Sequence, residues 1–421
     1  MERIGMDFRY IPRDLEGRLL KYLESPEILI VLGPRQSGKS TLIHHIFDRL
    51  PNSNRISLED VDVLATFESD VKAFYELHVK GYRYVFIDEV QYASSFGKHM
   101  KYMFDLVGGK VKFFITGSSV TDFYLNGLPY LVGRAFTFYL YPFSFGEFLR
   151  AKDEKLISLV HKSAVRPRVQ RLLEEFVVYG GYPRVALSDD PEEKKLILKN
   201  LYNLLVQREI TTLAGLLNHQ HVVSLIRLLA VYGAKLINYT TLAKESGLKY
   251  PEVKRLLSLF QKTFIVELLQ PFYTNKKLEI MKNPKLYFID NGLRNAILND
   301  FSTLRADMGI LYESFVFQEL LKQGLSVHFW RTKGKAEVDF VIRRDGQTIP
   351  VEVKMRHPAI TRSLRAFVER YSPPVGFIFN LEEQERVLAG KTVVEKQHFG
   401  EIIHFQEYLK NALSPKLPNS G

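Results

Sequence analysis

Residues 27–41, EILIVLGPRQSGKST, decide the fold. An apolar run ends at Gly33, and Gly33-Pro34-Arg35-Gln36-Ser37-Gly38-Lys39-Ser40 then fits G-x-x-x-x-G-K-[ST]. The helical stretch TLIHHIFDRL follows, so the motif lies between a buried strand and a helix N-terminus, the context it requires. Glycines there let backbone N–H groups wrap phosphate oxygens, and the helix end adds partial positive charge. Lys39 is expected to reach the β- and γ-phosphates of ATP and Ser40 to ligate Mg²⁺, with Thr41 completing the cradle.

Outward from this loop, RISL (55–58), YVFIDEV (84–90), VKFFITG (111–117) and AFTFYLYPF (135–143) are further continuous apolar runs separated by helical segments. Buried parallel strands read this way, which predicts an α/β parallel sheet. YVFIDEV delivers Asp88 and Glu89 to the carboxyl end of a strand, where open α/β sheets bind ligands. Asp88 is expected beside Mg²⁺, in its outer coordination sphere. Glu89 is expected to polarise the attacking water, a role of hydrolytic ATPases and not of kinases. At the tip of VKFFITGSS, Ser118 or Thr116 is a candidate γ-phosphate sensor.

Composition sets bounds on the rest. The 421 residues suit two to four domains, and 46% hydrophobic with 25% charged residues is the composition of a globular protein. There is no cysteine, which excludes disulfides, thiol nucleophiles and thiolate metal sites. Lys and Arg total 58 against 47 Asp and Glu, a net charge of +11 that favours polyanionic partners. No apolar run reaches the ~18 residues of a membrane span, and the N-terminus lacks a secretory apolar region, so a cytoplasmic protein without membrane contact is expected.

GPRQSGKSTL, FIDEVQ, ITGSS, then GR…YPFSFGEFL and GGYPRV, taken together, resemble the prokaryotic DEXX-box ATPases of the AAA+/STAND superclass, over essentially the whole chain. KLYFIDNGL and LYESFVFQEL resemble the C-terminal domain those ATPases carry. The resemblance implies that the turn containing Gly180, Gly181 and Pro183 approaches the adenine from a helical lid. It also suggests Arg134 as a γ-phosphate contact, in cis or in trans.

INYTTLAKESGLKYPEVKRLLSLFQKTFIVELLQPF (237–272) predicts a helix-turn-helix followed by a strand. Thr240 or Thr241 would cap the first helix, Gly247 would end it, and Lys249-Tyr250-Pro251 would start the second, with a wing near YTNKKLEIM. Val253, Leu256, Leu257 and Phe260 recur at helical spacing and mark the inner face. The polar face carries Lys244, Lys249, Lys254, Arg255 and Lys262, a surface that suits either phosphates or water.

In EVDFVIRRDGQTIPVEVK (337–354), Asp345-Gly346 reads as a two-residue hairpin turn. That register puts Asp339 opposite Glu352 and Glu337 opposite Lys354 on one face of the sheet. Opposed carboxylates repel unless a hard cation lies between them. With Glu313 from the preceding helix, Asp339 and Glu352-Val353-Lys354 resemble the E…D…ExK arrangement of PD-(D/E)xK nucleases. On that reading Glu313, Asp339 and Glu352 hold Mg²⁺ or Mn²⁺, and Lys354 orients water or neutralises developing charge. The alternative is a charged structural network in which Lys354 pairs with Glu337.

The expected architecture is therefore a P-loop NTPase domain with a parallel sheet (1–150), a helical lid (151–230), a winged helix-turn-helix module (231–300), an α/β restriction-endonuclease-like domain (301–413) and a frayed tail (414–421). The expected function is an Mg²⁺-dependent ATPase acting on DNA. The competing expectation is an ATP-controlled regulatory switch that works through protein–protein contacts, with the nuclease-like domain inactive. Whether the chain forms a homo-oligomer stays open.

Overall fold

A computed structural model describes residues 9–117, 128–205, 215 and 217–413. By backbone contacts the chain divides into two compact units, Met1–Phe143 with Lys262–Ile265, and Ser144–Gln261 with Val266–Gly421.

The first unit is built on five strands: β1 (Ile28–Leu32), β2 (Ser53–Ser57), β3 (Tyr84–Asp88), β4 (Lys112–Gly117) and β5 (Ala135–Tyr139), in the order β2-β3-β4-β1-β5. Every pairing is parallel. All five residues of β1 are buried because helices cover both faces, which is why the run carries no polar alternation. One face packs Ile28, Ile30 and Leu32 with Val85, Ile87, Phe113 and Ile115. The other packs Leu29 and Val31 with Leu42, Ile43, Ile46, Phe86 and Phe114. The order inserts β4 between the strands that end in the Gly33 loop and in Asp88, so both loops leave the carboxyl edge of one sheet on either side of the β4 tip.

The second unit begins with helices, among them Phe145–Asp153, Arg166–Tyr179, Pro191–Leu204 and His219–Tyr232. Next come the helices Tyr239–Ser246 and Tyr250–Lys262, separated by Gly247 in the left-handed region at φ 74°. The first is capped by Asn238, which accepts from the N–H groups of Thr240 and Thr241 at 3.0 and 3.1 Å. The expected threonine cap is thus corrected: Asn238, with the extended backbone a cap needs, precedes both threonines. Val253, Leu256, Leu257 and Phe260 are buried as their spacing predicts. β6 (Val266–Leu269) and β7 (Lys285–Phe288) form an antiparallel pair. The connection expected to be a wing instead contains the helix Lys276–Met281, where Lys-Lys-Leu-Glu-Ile-Met offers no turn residue.

A six-stranded mixed sheet completes the second unit: β8 (Ser326–Arg331), β9 (Glu337–Arg344), β10 (Gln347–Val353), β11 (Val375–Asn380), β12 (Glu385–Ala389) and β13 (Thr392–His398), in the order β12-β13-β11-β10-β9-β8. β9 and β10 are antiparallel with Arg344 opposite Gln347 and Phe340 opposite Val351, the register expected of an Asp-Gly hairpin. Asp345 takes φ 50° and Gly346 φ 75°, both positive as a type I′ turn demands. The helix Met308–Lys322 carries Glu313.

Candidate functional site

In the first unit the Gly33 loop leaves β1 and curls through positive φ at Gln36 (59°) and Gly38 (93°) before the helix Lys39–Phe47 begins. Such alternation turns successive N–H groups toward one point, the geometry of an anion nest. Gly33 admits no side chain: a Cβ there would lie 2.1 Å from the carbonyl oxygen of Leu140, whose own N–H bonds Leu32 O at 2.8 Å. Lys39 is buried, and its Nζ donates to the carbonyls of Gly33 and Pro34 at 3.0 Å each. The ammonium therefore spans the loop's concave side. Ser37 Oγ is buried without a hydrogen-bond partner. Arg35 and Ser40 are half-buried, and Thr41 is exposed in the first helical turn.

Sequence reading overlooked Arg13. Its buried guanidinium donates to Ser37 O and to Tyr141 O, both at 2.7 Å, clamping the phosphate loop to the segment after β5. An arginine in a polar N-terminal stretch carries no sequence signal of this.

Asp88 ends β3. One of its carboxylate oxygens accepts from the Glu89 N–H at 3.0 Å and from the Thr116 hydroxyl. Glu89 takes the left-handed conformation at φ 55°, and its carboxylate accepts from the Gln91 amide. Strain of this kind in a non-glycine residue concentrates at functional positions. Thr116 thus supports Asp88. Ser118, the other sensor candidate, lies outside the described residues. A hydroxyl, two carboxylates, an ammonium and a nest of N–H groups form the donor set that a magnesium–triphosphate requires, so the residues fit that group.

The structure moves one of the site expectations, Arg134, away from the phosphate loop of its own chain. The Arg134 carbonyl accepts from Ile28 N at 2.8 Å, at the amino end of β1, and its side chain pairs with Asp105 at 3.1 Å. Five residue steps separate Ile28 from Gly33, roughly 16 Å at about 3.3 Å each, so Arg134 lies at the opposite edge of the sheet from the loop of its own chain. Gly180, Gly181 and Pro183 belong to the second unit. There, Gly181 N donates to Asp290 Oδ2 at 2.7 Å, and a Cβ on Gly180 would meet Asp290 Oδ1 at 2.1 Å. Close packing against Asp290 is what requires glycine at this turn.

The C-terminal carboxylates are occupied by protein groups. Lys285, on β7, is 4% exposed and places Nζ 2.7 Å from Glu337 Oε1 and 3.1 Å from Glu313 Oε1. Tyr287 donates its hydroxyl to Glu313 at 2.6 Å. Burial would lower the Lys285 pKa, but Glu313, Asp339 and Glu337 together raise it above its ordinary value. Asp339 accepts from Val353 N at 2.8 Å. Glu352 accepts from the Thr361 hydroxyl at 2.6 Å, while its other carboxyl oxygen is buried without a hydrogen-bond partner. Burial pushes the Glu352 carboxyl up to about 7. Lys354 lies 3.8 Å from Glu352, and Glu337 pairs with Lys285 and Arg331 instead of Lys354. Among the described residues no group of three His, Asp or Glu side chains is arranged to hold a metal ion. The expected nuclease metal at Glu313, Asp339 and Glu352 does not fit this arrangement, because Lys285 engages Glu313, the Val353 N–H engages Asp339 and the Thr361 hydroxyl engages Glu352.

Residues 25–149 match the AAA domain family. The parallel sheet, the phosphate loop and the carboxylate-tipped β3 together make the first unit an AAA-type P-loop ATPase domain, followed by a C-terminal sheet domain. Residues 170–304 match a domain of unknown function (DUF8612), and residues 308–399 another (DUF4143). An uncharacterised protein of Haemophilus influenzae is 27% identical over 362 residues, 82% of this chain and 86% of its own. One of Methanocaldococcus jannaschii is 25% identical over 429 residues, 96% of this chain and 92% of its own. Among solved structures, a Walker-type ATPase of Pyrococcus abyssi is 16% identical, covering 69% of this chain and 99% of its own with a TM-score of 0.47. No helix among the described residues is long and apolar enough to cross a membrane.

Proposed function

We propose that this chain is an Mg²⁺-dependent ATPase whose nucleotide state controls the engagement of DNA by the second unit, without cutting it. The observation that carries the reading is the convergence of the Gly33 loop and the Asp88-Glu89 pair at one edge of the sheet, flanking β4. Lys39 exchanges the carbonyls of Gly33 and Pro34 for phosphate oxygens when nucleotide enters. Ser40 and Asp88 are the residues that would hold magnesium, which would draw charge from the phosphate oxygens. Glu89 accepts the proton of the attacking water, and Gln91 fixes its carboxylate.

DNA is favoured over a neutral partner by the net charge of +11 and by the exposed Lys244, Lys249, Lys254 and Arg255 around the second helix of the helix-turn-helix. Lys254 leans over the rings of Tyr239 and Tyr250 at 5.5 and 5.0 Å, which keeps its ammonium at that surface. Cleavage is left out because Lys285 fills the carboxylate cluster.

Phosphate release and nucleotide retention by wild type, Lys39→Ala and Glu89→Gln test the first part. Lys39→Ala should lose both, and Glu89→Gln should retain ATP without turnover; unchanged turnover in either overturns it. Duplex binding with ATP or ADP, at two salt concentrations, tests the second. Lys249→Glu with Lys254→Glu should weaken binding and flatten its salt dependence. Binding indifferent to the charge reversal would leave a switch that acts through protein contacts.

A further inference from the structure

Two carboxylates, Glu313 and Glu337, converge on one point of the second unit, the Lys285 ammonium, and Asp339 stands near enough to add to the field that holds its charge. Lys285 reaches it from a strand held on both sides. β7 pairs with β6 with Lys285 opposite Leu269, and a single bridge joins Lys285 to Leu236 on the other side. Its ammonium lies over the ring of Phe329, 5.6 Å from the centroid. The charge is thus delivered by a fixed backbone and shielded from water along its length.

The distances identify the occupant the site is shaped for. Oxygens of Glu337 and Glu313 stand 2.7 and 3.1 Å from Nζ, which are N–H···O separations. Carboxylates gathered around magnesium or calcium would close to about 2.0–2.6 Å and leave open positions for water or a phosphodiester. Here the Tyr287 hydroxyl takes part of the capacity of Glu313, and Arg331 takes the second oxygen of Glu337 at 3.0 Å. Asp339 turns an oxygen to the Val353 N–H. Every carboxylate of the cluster is thus already bonded to a group of this chain.

We infer that Lys285 is a built-in counter-cation standing where a divalent metal would sit among Glu313, Glu337 and Asp339, and that removing its charge converts this cluster into a divalent-cation site. This is independent of whether the first unit hydrolyses ATP. With an uncharged side chain at 285, Glu313 and Glu337 lose their shared cation beside Asp339, and a hard divalent ion becomes the species that can draw the three together.

The experiment is a Mn²⁺ titration of the full-length, nucleotide-free protein, read by the electron paramagnetic resonance signal of free Mn²⁺, together with thermal unfolding with and without Mn²⁺. Wild type and Asp339→Asn should bind Mn²⁺ alike, since the wild-type cluster is filled. Lys285→Met should bind one further Mn²⁺ per chain, at least ten-fold more tightly than wild type, and its melting temperature should rise with Mn²⁺. Adding Asp339→Asn should abolish both gains, and Lys285→Arg should behave as wild type. Wild-type Mn²⁺ binding that Asp339→Asn removes would overturn the inference, as would a folded Lys285→Met that binds no more Mn²⁺ than wild type. If Lys285→Met folds only when Mn²⁺ is present, that supports it. If it folds under neither condition, the comparison of wild type with Asp339→Asn decides.

Discussion

Lys285 and Glu313, 28 residues apart in the chain, share a buried ion pair with Nζ 3.1 Å from Oε1. Removing one partner of such a pair strands the other charge away from water, so the two single substitutions should not add. Lys285→Met should cost about 3–5 kcal/mol in urea unfolding. Adding Glu313→Gln should recover at least about 1 kcal/mol of that, because one of the orphaned charges disappears with it. Strict additivity would mean that the pair is not coupled in the folded protein.

Gly33 is held against the backbone of Leu140, where a methyl group would stand 2.1 Å from the carbonyl oxygen. Neither partner is a flexible side-chain tip, so Gly33→Ala must push β1 and the segment after β5 apart at the mouth of the phosphate loop. ATP binding should weaken by at least about ten-fold, equivalent to about 1.4 kcal/mol. Calorimetric titration with a non-hydrolysed ATP analogue measures this, and wild-type affinity would refute the assigned contact.

Arg13 fixes the same loop from the other direction through Ser37 O and Tyr141 O. Its replacement by Lys keeps a charge but not the two-pronged donor geometry. Arg13→Lys should raise the dissociation constant for ATP several-fold, while far-ultraviolet circular dichroism stays unchanged. Equal affinity would mean that the clamp does not shape the loop.

The parallel sheet was legible because strands buried on both faces have little choice but continuous Val, Ile, Leu and Phe, and because the phosphate loop has a fixed spacing. The β9–β10 register was legible too, since Asp345-Gly346 determines which residues oppose each other. What stayed hidden depends on contacts distant in sequence. Lys285 opens the run KLYFID, where the apolar pattern reveals a strand but not that its lysine points at carboxylates 28 and 52 residues further on. Arg134 misleads in the opposite way: the motif around it resembles a nucleotide contact, yet strand direction puts it at the edge opposite the phosphate loop of its own chain. Asn238 and its threonine neighbours belong to two residue types that both cap helices, and only the backbone conformation selects among them.

Asp290 binds two backbone groups at once. Its carboxylate caps the helix Asn291–Leu298 through Leu293 N at 3.0 Å and accepts Gly181 N at 2.7 Å. Asp290→Ala removes the cap and leaves a buried N–H unpaired, for an expected loss of about 2–3 kcal/mol. Asp290→Asn keeps one accepting oxygen and should lose less. Chemical denaturation of the two variants side by side checks the order, and equal losses would show that the charge, not the hydrogen bonding, is what matters.

Stability should vary with pH through two buried groups that act in opposite directions. Burial raises the Glu352 carboxyl from its ordinary 4.5 to about 7, so the folded protein binds a proton there that the unfolded chain has already released. The stability contributed by that proton is complete below pH 4.5 and is lost as pH rises toward 7, a change on the order of 3 kcal/mol. Burial lowers the His398 imidazole from 6.5 to about 4, so there the unfolded chain binds the extra proton, and stability is lost as pH falls from 6.5 toward 4. The two trends overlap between pH 4.5 and 6.5, and wild type alone can look flat there. Glu352→Gln removes only the first trend. Its stability relative to wild type should therefore climb steadily from pH 5 to pH 7, as measured by urea unfolding at fixed ionic strength. A difference that does not change with pH would mean that Glu352 ionises normally in the folded protein.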